Sequence, residues 1–77
     1  MEEKIKILFS EIFDIKVSEI NDMSSADNVV KWDSLNHTNL IVALEQTFKI
    51  SFTSEEIIDM LNFRLIKIIM EEKLKEK

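Results

Sequence analysis

At 77 residues the chain can build one small core and no second domain. Hydrophobic residues make up 45% of it and charged residues 32%, a globular balance that sets it apart from a disordered segment. Fifteen acidic against ten basic side chains leave a formal charge of -5, which disfavours nucleic acid and anionic membrane surfaces and suits a basic protein partner. Without cysteine there are neither disulfides nor thiolate metal sites, and one histidine with scattered carboxylates offers no closed ligand set. The opening MEEKIKIL lacks the apolar run of a signal peptide, and the longest unbroken apolar run, Leu40 to Leu44, is too short to cross a bilayer. The expectation is one domain over residues 1–77, soluble, cytoplasmic and monomeric.

Glycine and proline are both absent, so Asn, Asp, Ser and Thr must set the helix ends. Ile5, Leu8, Phe9 and Ile12 recur at i, i+3, i+4 and i+7, which predicts an amphipathic helix over Glu3 to Asp14, with Phe13 widening its stripe. The period then fails through VSEINDMSSADN. An ordered loop is expected up to Asp33, pinned to the core by Val17, Ile20, Met23, Val29 and Val30. Helical spacing returns from Ser34 to Phe48, with Leu40, Ile41, Leu44 and Phe48 on one face. In FTSEEI, Thr53 and Glu56 have capping-box spacing ahead of Ile57 and Ile58, predicting a short third helix to about Met60. Asn62 recaps the chain, and Phe63, Ile66, Ile69 and Met70 form a last stripe before EEKLKEK, a charged end expected to fray. Four helices, the third short and the first connection long, predict an all-α four-helix bundle.

The second helix carries one face more than a core needs. Leu40, Ile41, Leu44 and Phe48 fill an arc of about 100°, the width of one buried stripe. Leu35, Thr38 and Val42 fall together on a different side, where an edge helix meets water. Scattered exposed apolar residues are common, so this pattern by itself fits either an ordinary surface or a docking patch. Ser34 stands where the first N–H groups of a helix lack partners and the macrodipole is positive, a place that favours an attached anion. By position alone, N-capping by Asp33 or Ser34 is the more frequent role.

The segment WDSLNHTNLIVALEQTF, residues 32 to 48, resembles the phosphopantetheine attachment segment of the acyl carrier proteins. The first helix, the long loop ending at Asp33-Ser34-Leu35, the FTSEEI turn and the stripe from Phe63 resemble that family's four-helix domain in order and spacing. The resemblance implies no enzyme activity. Ser34 would instead accept 4′-phosphopantetheine from coenzyme A, moved by a phosphopantetheinyl transferase, with Asp33 and Leu35 completing the attachment motif. The arm's terminal thiol would then carry acyl, aminoacyl or related groups as thioesters between loading enzymes and downstream transferases or synthases. It also implies that Leu35, Thr38 and Val42 meet partner enzymes. Asp33, Glu45, Glu55, Glu56 and Asp59 could line the second and third helices and steer basic partners. Asn36 and Asn39 stand where many fatty-acid carriers have acidic residues, and Lys31-Trp32 replaces a glycine-containing approach to the motif. These departures favour a specialised biosynthetic pathway over general fatty acid synthesis, while Trp32 reads equally as a loop anchor.

Two other readings compete. Ser34 and His37, three apart on a helix, have the spacing of a nucleophile and base, yet no orienting acid or oxyanion loop accompanies them, and His37 lies within the core-facing arc. An unmodified helical interaction module would use the Leu35/Val42 patch for a partner and keep Ser34 as a cap.

Overall fold

The computed structural model describes residues 2–76, with side chains through residue 75. Its described residues form four helices: α1 (Glu2–Phe13), α2 (Ser34–Phe48), α3 (Ser54–Asp59) and α4 (Phe63–Glu76), with a 3₁₀ turn at Val17–Glu19 in the first connection. None is long and apolar enough to cross a membrane. The all-α four-helix bundle expected from the periodicity is the fold observed, and the α2 boundaries agree with the predicted ones residue for residue.

Each of the three long helices buries the stripe its sequence carries. Ile5, Phe9 and Phe13 of α1 meet Leu40, Ile41 and Leu44 of α2 and Phe63, Ile66 and Met70 of α4. Phe9 sits at the centre, edge-on to Phe13, Trp32 and Phe63 at ring-centroid distances of 4.6, 5.3 and 5.3 Å. Edge-to-face contact suits the aromatic quadrupole, so these rings add geometric preference to the area they bury. The short α3 buries no residue fully and rests on the core through the half-buried Ile57.

Without glycine the helix ends use other chemistry. α1 stops one residue before its predicted end because Asp14 turns left-handed at φ 54°, and Lys49 does the same after α2 at φ 56°. The Ser10 hydroxyl donates to the Ile15 carbonyl, and the Ser10 carbonyl accepts from the Ile15 N–H at 3.2 Å, holding the first reversal. Thr53 and Glu56 form the predicted capping box: the Thr53 hydroxyl accepts from the Glu56 N–H, and the Glu56 carboxylate accepts from the Thr53 N–H. Asn62 recaps the chain as expected, its Oδ1 accepting from the Leu65 N–H at 2.9 Å.

Two expectations are corrected. Of the five loop residues expected to pin the first connection, Ile20 and Val29 are buried, whereas Val17, Met23 and Val30 point outward, Val30 at 97% exposure. Polar contacts hold the loop in their place. The Ser24 and Asp22 carbonyls accept from the Phe63 and Arg64 N–H groups at 2.9 and 3.3 Å, so the loop caps the start of α4, and Ser25 bridges to Asn62. Lys67 closes the same junction, 2.7 Å from the Asp22 carboxylate. Its hydrogen bond holds the Asp22 carboxyl below the usual carboxylate range and raises the lysine's own pKa. The C-terminal segment, expected to fray, is helical over the described residues. α4 runs to Glu76 because Leu74 packs on the core and Lys73 reaches back 2.9 Å to Glu56 of α3; Lys77, the last of that segment, lies outside the described residues.

Candidate functional site

Ser34 is the first residue of α2, and its side chain is exposed. The N-cap is Asp33, not Ser34: Asp33 has extended backbone, and its Oδ1 accepts from the Asn36 N–H at 2.8 Å while its carbonyl accepts from the His37 N–H at 2.8 Å. The Ser34 hydroxyl is therefore not needed for capping. Among the described residues, the Ser34 and Leu35 N–H groups find no acceptor, leaving two donors at the positive end of a fifteen-residue helix. An exposed hydroxyl with free N–H groups beside it fits a phosphodiester, which needs a tether open to solvent and donors for its charge.

The loop residue just before the cap is fixed from below. Trp32 is buried and stacked on Phe13 at 5.0 Å and 27°, while the His37 ring lies beside it edge to edge, nearly coplanar at 6.0 Å and 16°. Its indole N–H donates to His37 Nδ1 at 3.0 Å, and His37 Nε2 lies 3.0 Å from the Ile57 carbonyl of α3. Since Nδ1 accepts, Nε2 carries the proton and donates to that carbonyl. Both ring nitrogens are thus spent within the fold. No hydrogen bond links His37 to Ser34 among the described residues, so the spacing that suggested a nucleophile and base does not become a pair in space.

Beside Ser34 a groove of about 490 Å³ opens between the start of α2 and α3. Its floor is Trp32, His37, Ile57 and Met60, and its rim is Ala26, Asp33, Ser34, Thr38, Ile58 and Leu61. Ile58 and Leu61 are 70% and 65% exposed. The sequence reading did not single out this rim, although one signal was there: adjacent isoleucines in a six-residue helix lie about 100° apart, so Ile57 and Ile58 cannot both face inward. Leu35 and Val42 of the second face are exposed, 70% and 44%, as the helical projection predicted, with Thr38 between them, its hydroxyl donating to the Ser34 carbonyl at 3.0 Å.

The candidate carboxylates divide in two. Glu55 and Asp59 are exposed on α3. Glu45 accepts from the Phe52 N–H at 2.9 Å and fixes the turn after α2. Glu56 is held by the Thr53 backbone and by Lys73, which together keep its carboxyl below the usual carboxylate range. Asn36 and Asn39 bond to one another, Asn39 donating at 3.2 Å, and Asn36 donates to the Lys31 carbonyl at 2.8 Å, so they order the exposed side of the first turns without adding charge.

No family model matches the chain. It is 38% identical over 56 residues to the acyl carrier protein of Buchnera aphidicola subsp. Schizaphis graminum, an alignment covering 73% of this chain and 71% of that relative. Its fold superimposes on the solution NMR structure of holo acyl carrier protein from Geobacter metallireducens with a TM-score of 0.86 and 31% identity, over 97% of this chain and 86% of that one. Helix order, exposed serine and the two likenesses converge: the chain belongs to the acyl carrier protein family and is a carrier, not an enzyme.

Proposed function

We propose that the chain is modified on Ser34 with 4′-phosphopantetheine and carries acyl or related groups on that arm. The observation that carries this reading is the exposed Ser34 hydroxyl, released from capping by Asp33 and set beside two free N–H groups at the start of α2. Ser34 Oγ forms a bond to phosphorus as the pyrophosphate bond of coenzyme A breaks. 3′,5′-adenosine bisphosphate leaves, and the hydroxyl proton passes to a base of the transferase. The arm supplies a terminal thiol for thioester linkage, chemistry this cysteine-free chain lacks.

Leu35, Thr38 and Val42 form the face that meets the phosphopantetheinyl transferase and the loading and consuming enzymes, in the cytoplasm. Apolar anchors with a polar rim are what a transient docking surface requires. Asp33, Glu55 and Asp59 supply the exposed negative charge near it, whereas Glu45 and Glu56 already serve the fold. Between Asp33 and Glu45 the helix has no acidic residue. This neutral stretch supports service in a specialised biosynthetic pathway, whose enzymes would recognise a less negative helix than general fatty acid synthesis uses.

Intact-protein mass spectrometry after incubation with coenzyme A, magnesium and a broad-specificity transferase tests the assignment. The expected result is one phosphopantetheine on the wild type and none on Ser34→Ala. A folded wild type left unmodified by two different transferases would make an unmodified interaction module the better reading.

A further inference from the structure

We propose that Asn36 is a positioning residue for the transfer of phosphopantetheine to Ser34, its side-chain amide clipping the approach loop to the first turn of α2. This rests on the reading of Ser34 as the attachment site. Asn36 Nδ2 donates to the Lys31 carbonyl at 2.8 Å, and one residue along, the Trp32 indole N–H donates to His37 Nδ1 at 3.0 Å. Both clips join residues five apart in the chain, and Ser34 lies between their ends. The inner clip belongs to the aromatic core, whereas the outer one is exposed. The Lys31 carbonyl also accepts from the Asp33 N–H at 3.0 Å, so Asn36 holds the turn from which the Asp33 cap and Ser34 follow. Lys31 pairs with Asp14 at 3.0 Å as well, but both side chains are exposed and such a pair holds weakly. With no glycine or proline to shape this approach, side-chain bonds set its course.

The clip needs an amide. Asn39 donates to Asn36 Oδ1 at 3.2 Å, which turns Nδ2 toward the Lys31 carbonyl. A carboxylate at this position has no donor to offer and repels both that carbonyl and the Asp33 side chain. The Asn36 backbone N–H, which fills the Asp33 cap at 2.8 Å, survives any side-chain substitution, so clipping and capping are separable at one residue. Clipping is also separable from docking. Projected down α2, Asn36 lies about 100–160° from Leu35, Thr38 and Val42. A transferase seated on that face binds whether or not the clip is closed, but meets a Ser34 hydroxyl aligned on the phosphorus of coenzyme A only when it is.

Wild type, Asn36→Ala and Asn36→Asp are incubated with coenzyme A, magnesium and an excess of a broad-specificity transferase, and single-turnover loading is followed by intact mass over a range of transferase concentrations. In both variants the maximal rate is expected to fall about fivefold, the population shift that one lost hydrogen bond produces. The half-saturating transferase concentration is expected to stay within about twofold of the wild-type value, the pattern of an alignment lost without a docking contact. Reduced stability does not imitate this, because a smaller folded fraction raises the half-saturating concentration and leaves the maximum in place. Asn36→Asp keeps the side-chain volume and serves if Asn36→Ala does not fold. Maximal rates equal to wild type overturn the proposal, and so does a change confined to the half-saturating concentration, which marks Asn36 as a docking contact. In either case the wild type is loaded and the Ser34 reading stands. A folded wild type that takes up no phosphopantetheine overturns that reading and the proposal with it.

Discussion

The indole N–H of Trp32 donates to Nδ1 of His37 across 3.0 Å while the two rings lie nearly parallel, 16° apart. One loop residue is thereby tied to α2 by a polar contact in the plane of both rings, immediately before the Asp33 cap. The start of α2, and with it Ser34, inherits the rigidity of the aromatic core.

Trp32→Ala is expected to cost about 3–5 kcal/mol, the range for emptying a buried aromatic site. A chain of this size has a total stability of roughly 4–12 kcal/mol, so that loss removes a large part of it. Trp32→Phe keeps the stack and loses chiefly the N–H bond, at about 1 kcal/mol. Urea unfolding of both variants checks the ratio, and equal losses would mean that the hydrogen bond, not the packing, holds the loop.

Capping and attachment are assigned to neighbouring residues, which makes them separable. Asp33→Ala is expected to lower stability by about 1 kcal/mol, whereas Ser34→Ala leaves it within about 0.5 kcal/mol and abolishes phosphopantetheine loading. Thermal unfolding and mass spectrometry on the same two samples decide it. A Ser34→Ala loss as large as that of Asp33→Ala would return the cap to the serine.

Leu35 stands free of the core, so its truncation should be visible to a partner and invisible to the fold. Leu35→Ala is expected to reduce the transferase kcat/KM about tenfold, the effect of losing a moderate interface anchor, with an unchanged Tm. Unchanged kinetics would place the docking face elsewhere.

Acid should loosen the junctions that α3 and α4 make with their neighbours. Asp22 is held low first by its hydrogen bond to Lys67, and Glu56 first by the Thr53 backbone. Both carboxyls bind protons less readily in the folded chain than in the unfolded one, so their stabilisation is complete above the unfolded values of about 4 and disappears as pH falls through the folded values. Tm measured from pH 6 to pH 2 is expected to fall below about pH 4, and Glu56→Gln to flatten that fall. An equally steep fall in Glu56→Gln would exclude Glu56 as a source.

Lys49 pays a steric penalty at φ 56° that glycine avoids. Lys49→Gly is expected to stabilise the chain by about 0.5 kcal/mol, part of the gain being offset by the greater freedom of glycine when unfolded. A Tm rise of a few degrees by calorimetry checks this.

The amino-acid sequence by itself determined the helices, because apolar spacing and cap chemistry act within a few residues: Ile5, Phe9 and Phe13 on one stripe, and Thr53 with Glu56 at a start. It likewise placed Leu35 and Val42 off the buried face of α2, since helical geometry alone does so. Tertiary structure decided which loop side chains turn inward, because irregular backbone has no period: Ile20, Val29 and Trp32 are buried, and Val30 is not. It also decided that Glu56 pairs with Lys73, that α4 persists to Glu76, and that His37 joins Trp32 to α3. Each of those depends on a partner distant in the chain, such as Glu56 for Lys73 or Ile57 for His37, whose proximity exists only once the helices have packed.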